Sequence, residues 1–326
     1  MPQELWGSSP LRTTMSIQKA PVQHPAEDDP KATGRTKQLR ARQLILAAGA
    51  LGSTYLLLAN RNRLPGLSSR LGHGFSGNGD LLTFALNART GSGKPLRLDA
   101  SHGPVITSTL RVPDARDGVG GRSRGFYLQD AGYPDFLDWL IQVAAIKSDL
   151  PPLVRFIWHR LLARLLGRGG SGLDRDLRAL LADTRLSAGS LPLLGMGRDV
   201  SGGQFTLGDA AAPDRMRLDW SKDGSQPYFD EAVNVSRSIA KQLGAEFRED
   251  PLTQFFSRLI TVHPLGGCAM GVDREHGVVS PRGQVFGHPG LYVADGAVMP
   301  GAVGPNPSWT IAALANLFAT AMLGEE

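Results

Sequence analysis

The sequence predicts a mixed α/β (α+β) protein with a parallel sheet in one region and an antiparallel sheet, flanked by helices, in another. Two short and mostly apolar runs, at 43–48 and 290–295, are typical of buried parallel strands. The residues at 81–112 instead alternate in places between apolar and polar side chains, with Gly, Pro and Ser between them. That pattern indicates antiparallel strands with one covered face.

The chain has 326 residues, which is enough for one large domain or two modest domains. Hydrophobic residues make up 41% and charged residues 20%, so a buried core can form. The net charge is +5, but Lys and Arg form no stripe interleaved with aromatic residues, so we predict no nucleic-acid partner. The sequence contains neither an apolar run of membrane-spanning length nor the apolar centre of a secretory signal, which predicts a cytoplasmic location.

The cysteine and histidine residues give no sign of a disulfide or a metal site. Cys268 is the one cysteine, and we interpret it as a small buried residue, the alternative being a reactive thiol. The seven histidines are scattered, and no two have the i, i+4 spacing of a helical zinc site. We therefore predict no metal ligands.

The N-terminal third begins with a segment, 1–38, that is rich in Pro, Ser, Thr and charge and predicts a disordered leader. The apolar run at 43–48 predicts a strand, and a helix is predicted from about 51 to 61 after a tight turn. Antiparallel strands are predicted within 81–88, 105–112 and 125–134.

The middle of the chain is mainly helical by pattern, with helices predicted at 136–146, 151–170, 175–182 and 229–243 and a strand within 215–222. The helix at 151–170 has Leu and Ile at i+4 steps and arginines on another side. We interpret it as a helix that covers the sheet, the alternative being a basic helix that contacts an anionic membrane. The glycine-rich run at 167–172 follows a helix rather than a strand, so we do not interpret it as a dinucleotide-binding turn.

Two segments near the C-terminus carry the candidate chemistry. His263 precedes a proline and a glycine pair, and Asn306-Pro307-Ser308 precedes a predicted helix. Taken alone, a His beside Pro is most often a loop residue, and Asn-Pro-Ser is most often a turn with a helix cap. Together the two segments offer a base, an amide and the N-terminus of a helix.

Both segments resemble one known family over about fifty residues. The motif HPLGGCAMG at 263–271, followed by GQVFGHPGLYVADGAVMPGAVGPNPSWTIAALA at 283–315, is similar to the C-terminal signature of the glucose-methanol-choline (GMC) family of FAD-dependent alcohol oxidoreductases. The nearest branch contains the bacterial cholesterol-oxidase-like members. The residues around 43–61 and 67–80 resemble the family less specifically.

The resemblance implies FAD as the cofactor and hydride transfer from a CH–OH group to flavin N5. By the same resemblance His263 is the active-site base, and Asn306 is its partner at the substrate hydroxyl or the flavin edge. The residues implied to line the flavin are Ala48, Gly49, Asp295, Gly296, Asn306, Pro307 and Ser308. The chemistry fits these residue types, since histidine exchanges protons near neutral pH and a helix N-terminus stabilises a reduced, anionic flavin.

The resemblance also implies a domain organisation. We expect a remainder of the FAD-binding domain at 39–80 and 273–326, and a substrate-binding domain at 81–272, with the chain passing between them at Gly77-Asn78-Gly79. No strand followed by G-x-G-x-x-G is present, so we expect an N-terminally truncated form of the family that carries little FAD when purified.

The apolar middle segment favours a lipid-like alcohol, either a sterol or a long-chain alcohol, as the small-molecule substrate. The expected electron acceptor is O2 or another acceptor, and peripheral membrane contact is the further expectation. The alternatives are a catalytically inactive sterol- or lipid-binding protein, a complete small enzyme that binds flavin differently, and a sugar-type dehydrogenase of the same family.

Overall fold

The computed structural model describes residues 41–100, 103–113, 125–132, 189–208, 215–250, 253 and 259–324. The strands are β1 (Leu44–Leu46), β2 (His73–Phe75), β3 (Leu81–Leu86), β4 (Thr109–Val112), β5 (Phe126–Asp130), β6 (Leu191–Gly197), β7 (Gly203–Leu207), β8 (Met216–Asp219), β9 (Glu246–Glu249) and β10 (Leu291–Val293). The α-helices are α1 (Gly49–Ala59), α2 (Gln226–Gln242) and α3 (Ser308–Leu323). The predicted leader and the helices predicted at 136–146, 151–170 and 175–182 lie outside the described residues.

The two apolar runs form a parallel pair, as the sequence predicted. β1 and β10 run side by side with Ile45 opposite Tyr292. The pair continues one residue beyond β10, where Ala294 N donates to Leu46 O at 2.8 Å. Gly49 has φ 77°, a left-handed conformation that lets the chain turn from β1 directly into α1. The helix therefore begins at Gly49, two residues earlier than predicted.

A first hydrophobic core surrounds this parallel pair. It contains leucines of α1, Leu291 and Val293 of β10, and Phe318 of α3. Phe205 of β7 and Cys268 also belong to it, although they lie within the predicted substrate domain. The three-stranded sheet β2-β7-β8 likewise joins a strand from the first eighty residues to two later strands. The domain boundaries stay a prediction.

The largest sheet has five strands in the order β4-β5-β6-β3-β9, and every neighbouring pair is antiparallel. The strands predicted within 81–88, 105–112 and 125–134 are confirmed as β3, β4 and β5 of this sheet. The strand predicted within 215–222 is confirmed as β8 of the three-stranded sheet. The sequence analysis missed β2, β6, β7 and β9. Glycines weaken the strand pattern of β6 and β7.

Helix α2 covers one face of the five-stranded sheet. Its Tyr228 and Phe229 pack with Phe126 and Leu128 in a second hydrophobic core. The helix begins three residues before the predicted start because Pro227 occupies its first turn, where no backbone N–H is required. Within the described residues, no helix combines the length and apolar character that a bilayer span requires.

Candidate active site

His263 lies against a buried carboxylate. Its ring Nδ1 is 2.9 Å from Oδ1 of Asp80, a residue that is only 3% exposed. The other carboxylate oxygen, Oδ2, accepts hydrogen bonds from the backbone N–H groups of Val262 and His263 at 2.7 and 3.1 Å, and it lies 3.1 Å from the same ring Nδ1. The Thr261 hydroxyl is 3.0 Å from Oδ2 and 3.1 Å from Gly77 O, so its one proton can be donated to either oxygen. Among the described residues, none forms a hydrogen bond with His263 Nε2. The ring is therefore held at one nitrogen, and the other remains available.

The glycine pair that follows His263 allows the loop to pack closely against β2 and α1. A Cβ atom on Gly266 would lie 2.0 Å from Gly74 O, and one on Gly267 would lie 2.2 Å from the Thr54 hydroxyl oxygen. Backbone hydrogen bonds join the same segments, from Gly72 N to Gly267 O and from Gly267 N to His73 O. The motif thus has glycine where a side chain would push His263 away from Asp80.

We expect Gly266→Ala to destabilise the fold by more than its backbone strain alone. Gly266 has φ 84°, so alanine costs about 1–2 kcal/mol there, and the contact with Gly74 O adds about 1–3 kcal/mol of overpacking. Gly93→Ala is the matched control, because Gly93 has φ 80° and open space around a Cβ. Urea denaturation gives the free energy of unfolding of both variants. Equal losses in the two would contradict the packing explanation.

The loop before α3 is held by a second buried side chain, Asn78. Its Oδ1 accepts from the backbone N–H groups of Val303 and Gly304, both at 2.9 Å. Its Nδ2 donates to Gly304 O and Pro305 O at 3.4 and 3.1 Å. Asn78 is fully buried and has φ 54°, a conformation that asparagine tolerates better than most residues. The side chain fixes the backbone directly before Asn306.

Asn306 itself faces the antiparallel sheet. Its Nδ2 donates to Gln129 Oε1 on β5 at 3.2 Å, and Gln129 Nε2 donates to the Thr109 hydroxyl at 3.1 Å. No hydrogen bond joins Asn306 to His263 within the described residues. The two are linked indirectly, since the loops carrying them bind Asn78 and Asp80 of one short segment, Ser76–Asp80.

A second carboxylate, Asp199, fixes the start of that segment. It accepts from the Ser76 hydroxyl and, at 3.0 Å, from Gly77 N. Burial raises the pKa of this carboxyl above its ordinary value, and the hydrogen bonds from Ser76 and Gly77 oppose the rise. Buried acidic side chains therefore fix both ends of Ser76–Asp80. Asp199 binds the start of the segment, and Asp80, its last residue, binds the loop that carries His263.

The residues predicted to line a flavin form two groups in the structure. Asp295, at the end of β10, accepts from Gly49 N at 2.9 Å, from Ala297 N at 2.8 Å and from the Ser53 hydroxyl. These bonds bring Ala48 and Gly49 next to Asp295 and Gly296, at the carboxyl ends of the parallel strands. Ala48 is exposed there, whereas Gly296 is buried.

The second group is the start of α3. Pro307 is the N-cap residue and supplies no side-chain hydrogen bond to the first turn. The first helical backbone bond runs from Ile311 N to Pro307 O at 2.9 Å. Ser308 and Trp309 are exposed, and Trp309 is 87% exposed. The first-turn N–H groups are thus not capped by the N-cap side chain, at the positive end of a long helix.

Cys268 is fully buried, with its Sγ 3.6 Å from the Thr54 hydroxyl oxygen. Burial raises the pKa of the thiol to about 12. The thiol is therefore protonated at neutral pH, in agreement with the predicted role as a small buried residue.

Sequence reasoning missed Asp80, Asn78 and Gln129. Asp80 lies next to a buried strand, and an acidic residue directly before the apolar run at 81–86 was the available signal. Asn78 was interpreted as part of a passage between domains. Gln129 carries no pattern of its own, because an amide on a half-buried strand is common.

Comparison with known proteins indicates the class of protein: the chain is similar to oxidoreductases. Residues 201–315 match the family model described as GMC oxidoreductase. The cholesterol oxidase of Mycobacterium tuberculosis is 29% identical over 292 residues, which cover 84% of this chain and 45% of the relative. A long-chain-alcohol oxidase of Arabidopsis thaliana is 26% identical over 214 residues, covering 64% of this chain and 27% of that protein.

Solved structures show the same fold. The crystal structure of a formate oxidase aligns with a TM-score of 0.52 at 15% identity, covering 88% of this chain and 55% of that chain. A pyridoxine 4-oxidase from Mesorbium loti aligns with a TM-score of 0.50 at 17% identity, covering 89% of this chain and 53% of that chain. The match to the GMC oxidoreductase family model is confined to residues 201–315, and the chain spans about half the length of the cholesterol oxidase and of the two solved structures.

Proposed function

We propose that the chain belongs to an FAD-dependent oxidoreductase that acts on the CH–OH group of a lipid-like alcohol, with His263 as the base. One observation carries the proposal. The loop with His263 and the loop with Asn306 both bind Ser76–Asp80, the segment that joins β2 to β3. A base and an amide are thereby fixed relative to one another. Their convergence on one substrate hydroxyl is part of the proposal.

The residues present fit the isoalloxazine end of a flavin. The uncapped start of α3 offers N–H groups to an electron-rich ring, and Asn306, Pro307 and Ser308 surround it. Ala48 and Gly49 provide a small, side-chain-poor surface at the end of β1, and Asp295 and Gly296 lie beside them. When bound, the flavin would supply the two-electron acceptor that takes the carbinol hydrogen as hydride.

His263 is suited to take the hydroxyl proton. Its ring is mostly buried, with a side chain 15% exposed, and its Nε2 has no hydrogen-bond partner among the described residues. As the O–H bond of the alcohol breaks, the proton would pass to Nε2 and leave the oxygen able to form the carbonyl. Asn306, oriented by Gln129, would bind the same oxygen through its amide.

The surroundings of Gln129 favour an apolar substrate. Gln129 lies opposite Leu194 of β6, which lies opposite Leu82 of β3, so the three side chains share one face of the sheet. Leu82 and Leu194 are partly exposed, whereas Met196 and Phe84, farther along the same face, are fully buried, and α2 covers the other face. An aliphatic chain or sterol ring is the kind of group that such a face accommodates. The cholesterol and long-chain-alcohol oxidases among the relatives agree with this substrate class and with O2 as acceptor.

The proposal is tested by turnover per bound flavin. The purified chain is incubated with excess FAD and separated from free FAD, and the flavin that remains bound is counted by absorbance. Cholesterol, 1-dodecanol and glucose are then compared with O2 as acceptor. We expect at least one of the two lipid-like alcohols to react much faster than glucose. Preferred oxidation of glucose would favour the sugar-type alternative, and lipid binding without any turnover would favour the inactive binding protein.

A further inference from the structure

The strongest feature without an assigned role is the set of contacts that the two oxygens of the Asp80 carboxylate make. Oδ2 binds the backbone and hydroxyl donors of Thr261–His263, which accounts for the shape of the loop. Oδ1 has the His263 ring as its only hydrogen-bond partner among the described residues, and the ring Nδ1 is 2.9 Å from Oδ1 and 3.1 Å from Oδ2. Holding the loop requires only Oδ2, so the contact of Oδ1 calls for a separate explanation.

We propose that Asp80 is a positioning residue that keeps the proton of His263 on Nδ1 and so presents Nε2 as the proton acceptor. This inference rests on the proposed function, in which His263 is the base. An ionised carboxylate only accepts hydrogen bonds, so Nδ1 must be the donor. In a neutral imidazole the other nitrogen then carries a lone pair. The buried position of Asp80, 3% exposed, leaves the pair little competition from water.

The same contact also stabilises the charged His263 ring that forms after proton transfer. When Nε2 gains the hydroxyl proton, the ring becomes an imidazolium whose Nδ1–H still donates to Asp80. The negative charge beside the ring stabilises that cation, and Asp80 itself does not take the proton. Asp80 thus acts through His263, and nothing in its geometry requires it to touch the substrate.

The test reads the tautomer directly and does not depend on turnover. The chain is labelled with ¹⁵N-histidine, and long-range ¹H–¹⁵N spectra are recorded, with His263 assigned by its absence in His263→Gln. We expect a protonated Nδ1 and an unprotonated Nε2 in the neutral ring. A neutral His263 protonated on Nε2 in the unmodified chain would overturn the inference, whether or not any variant folds.

Three variants test the inference further. Asp80→Asn places an amide beside the ring that can donate to Nδ1, so we expect the proton to shift to Nε2. Asp199→Asn is the matched control, because it neutralises the other buried carboxylate at Ser76–Asp80 without contact to His263. Thr261→Val removes one donor to Oδ2 and should keep the tautomer while lowering stability. An unchanged tautomer in folded Asp80→Asn would contradict the inference.

Turnover separates this inference from the proposed function. In flavin-loaded protein, Asp80→Asn is expected to lower kcat by up to about 10⁴-fold, the scale known for a carboxylate that fixes a histidine tautomer. If the tautomer behaves as expected but no alcohol is oxidised, the proposed function fails and the positioning role stands. If alcohols are oxidised while His263 carries its proton on Nε2, the positioning role fails and the proposed function stands.

Discussion

Replacement of His263 by alanine is expected to lower turnover per bound flavin by roughly 10²–10⁴-fold, the scale for loss of a positioned acid–base group. The physical reason is that the hydroxyl proton then has no acceptor at the end of the Thr261–His263 loop. Flavin content should stay unchanged, because the residues proposed to line the flavin belong to β1, β10 and α3. Turnover and flavin absorbance are measured on the same preparation. Each variant is loaded with excess FAD and freed of unbound FAD before the measurement, so that the rates are compared per bound flavin.

His276→Ala is the matched control for this change. His276 also has its Nδ1 close to an aspartate, 2.7 Å from Asp273 Oδ1, but its side chain is 67% exposed. Its removal should leave turnover unchanged, since the pair is solvated and lies apart from Ser76–Asp80. If His263→Ala has the same rate per bound flavin as His276→Ala, His263 is a loop residue and the assignment as base is wrong.

Replacement of Asn78 by alanine is expected to destabilise the protein by about 2–4 kcal/mol and to lower turnover as well. The change removes four hydrogen bonds and leaves donors of Val303 and Gly304 without their acceptor, at about 1–3 kcal/mol for each group that stays buried. Water can replace part of the loss, because Pro305 is exposed. Turnover falls because the backbone before Asn306 loses its attachment.

The control for Asn78 is Asn87, which has nearly the same backbone conformation, φ 55°, but is exposed. Asn87→Ala therefore measures the backbone strain of alanine alone, about 1–2 kcal/mol. Urea denaturation of the two variants gives the difference that belongs to the hydrogen bonds. A difference near zero would mean that Asn78 does not hold the loop before α3.

Features with a local pattern were predictable from the sequence. The apolar run at 43–48 and its counterpart at 290–295 paired in parallel as expected, and the alternating residues at 81–88 formed an antiparallel strand. Periodicity and apolar length determine these elements, and both are visible in a short window of sequence. The start of α3 after Asn306-Pro307 was predictable for the same reason.

The contacts that organise the site were not predictable. Asp80 binds His263, and Asn78 binds Val303 and Gly304, through a few hydrogen bonds between distant parts of the chain. Such contacts have no period, and the polar residues that make them look like ordinary turn residues. The roles of His263 and Asn306 were inferred from resemblance and stay predictions, although the structure fixes both loops to Ser76–Asp80.

The attachment of both loops to Ser76–Asp80 also bears on the order of folding. The contact between Asp80 and His263 spans 183 residues, and that between Asn78 and Val303 spans 225. Closing loops of this length costs chain entropy before the contacts contribute any stabilisation. We therefore expect these bonds to form after α2 has docked on the five-stranded sheet. His263 would then acquire its fixed orientation in one of the last steps of folding, and partly folded chains would contain every candidate residue without a working site.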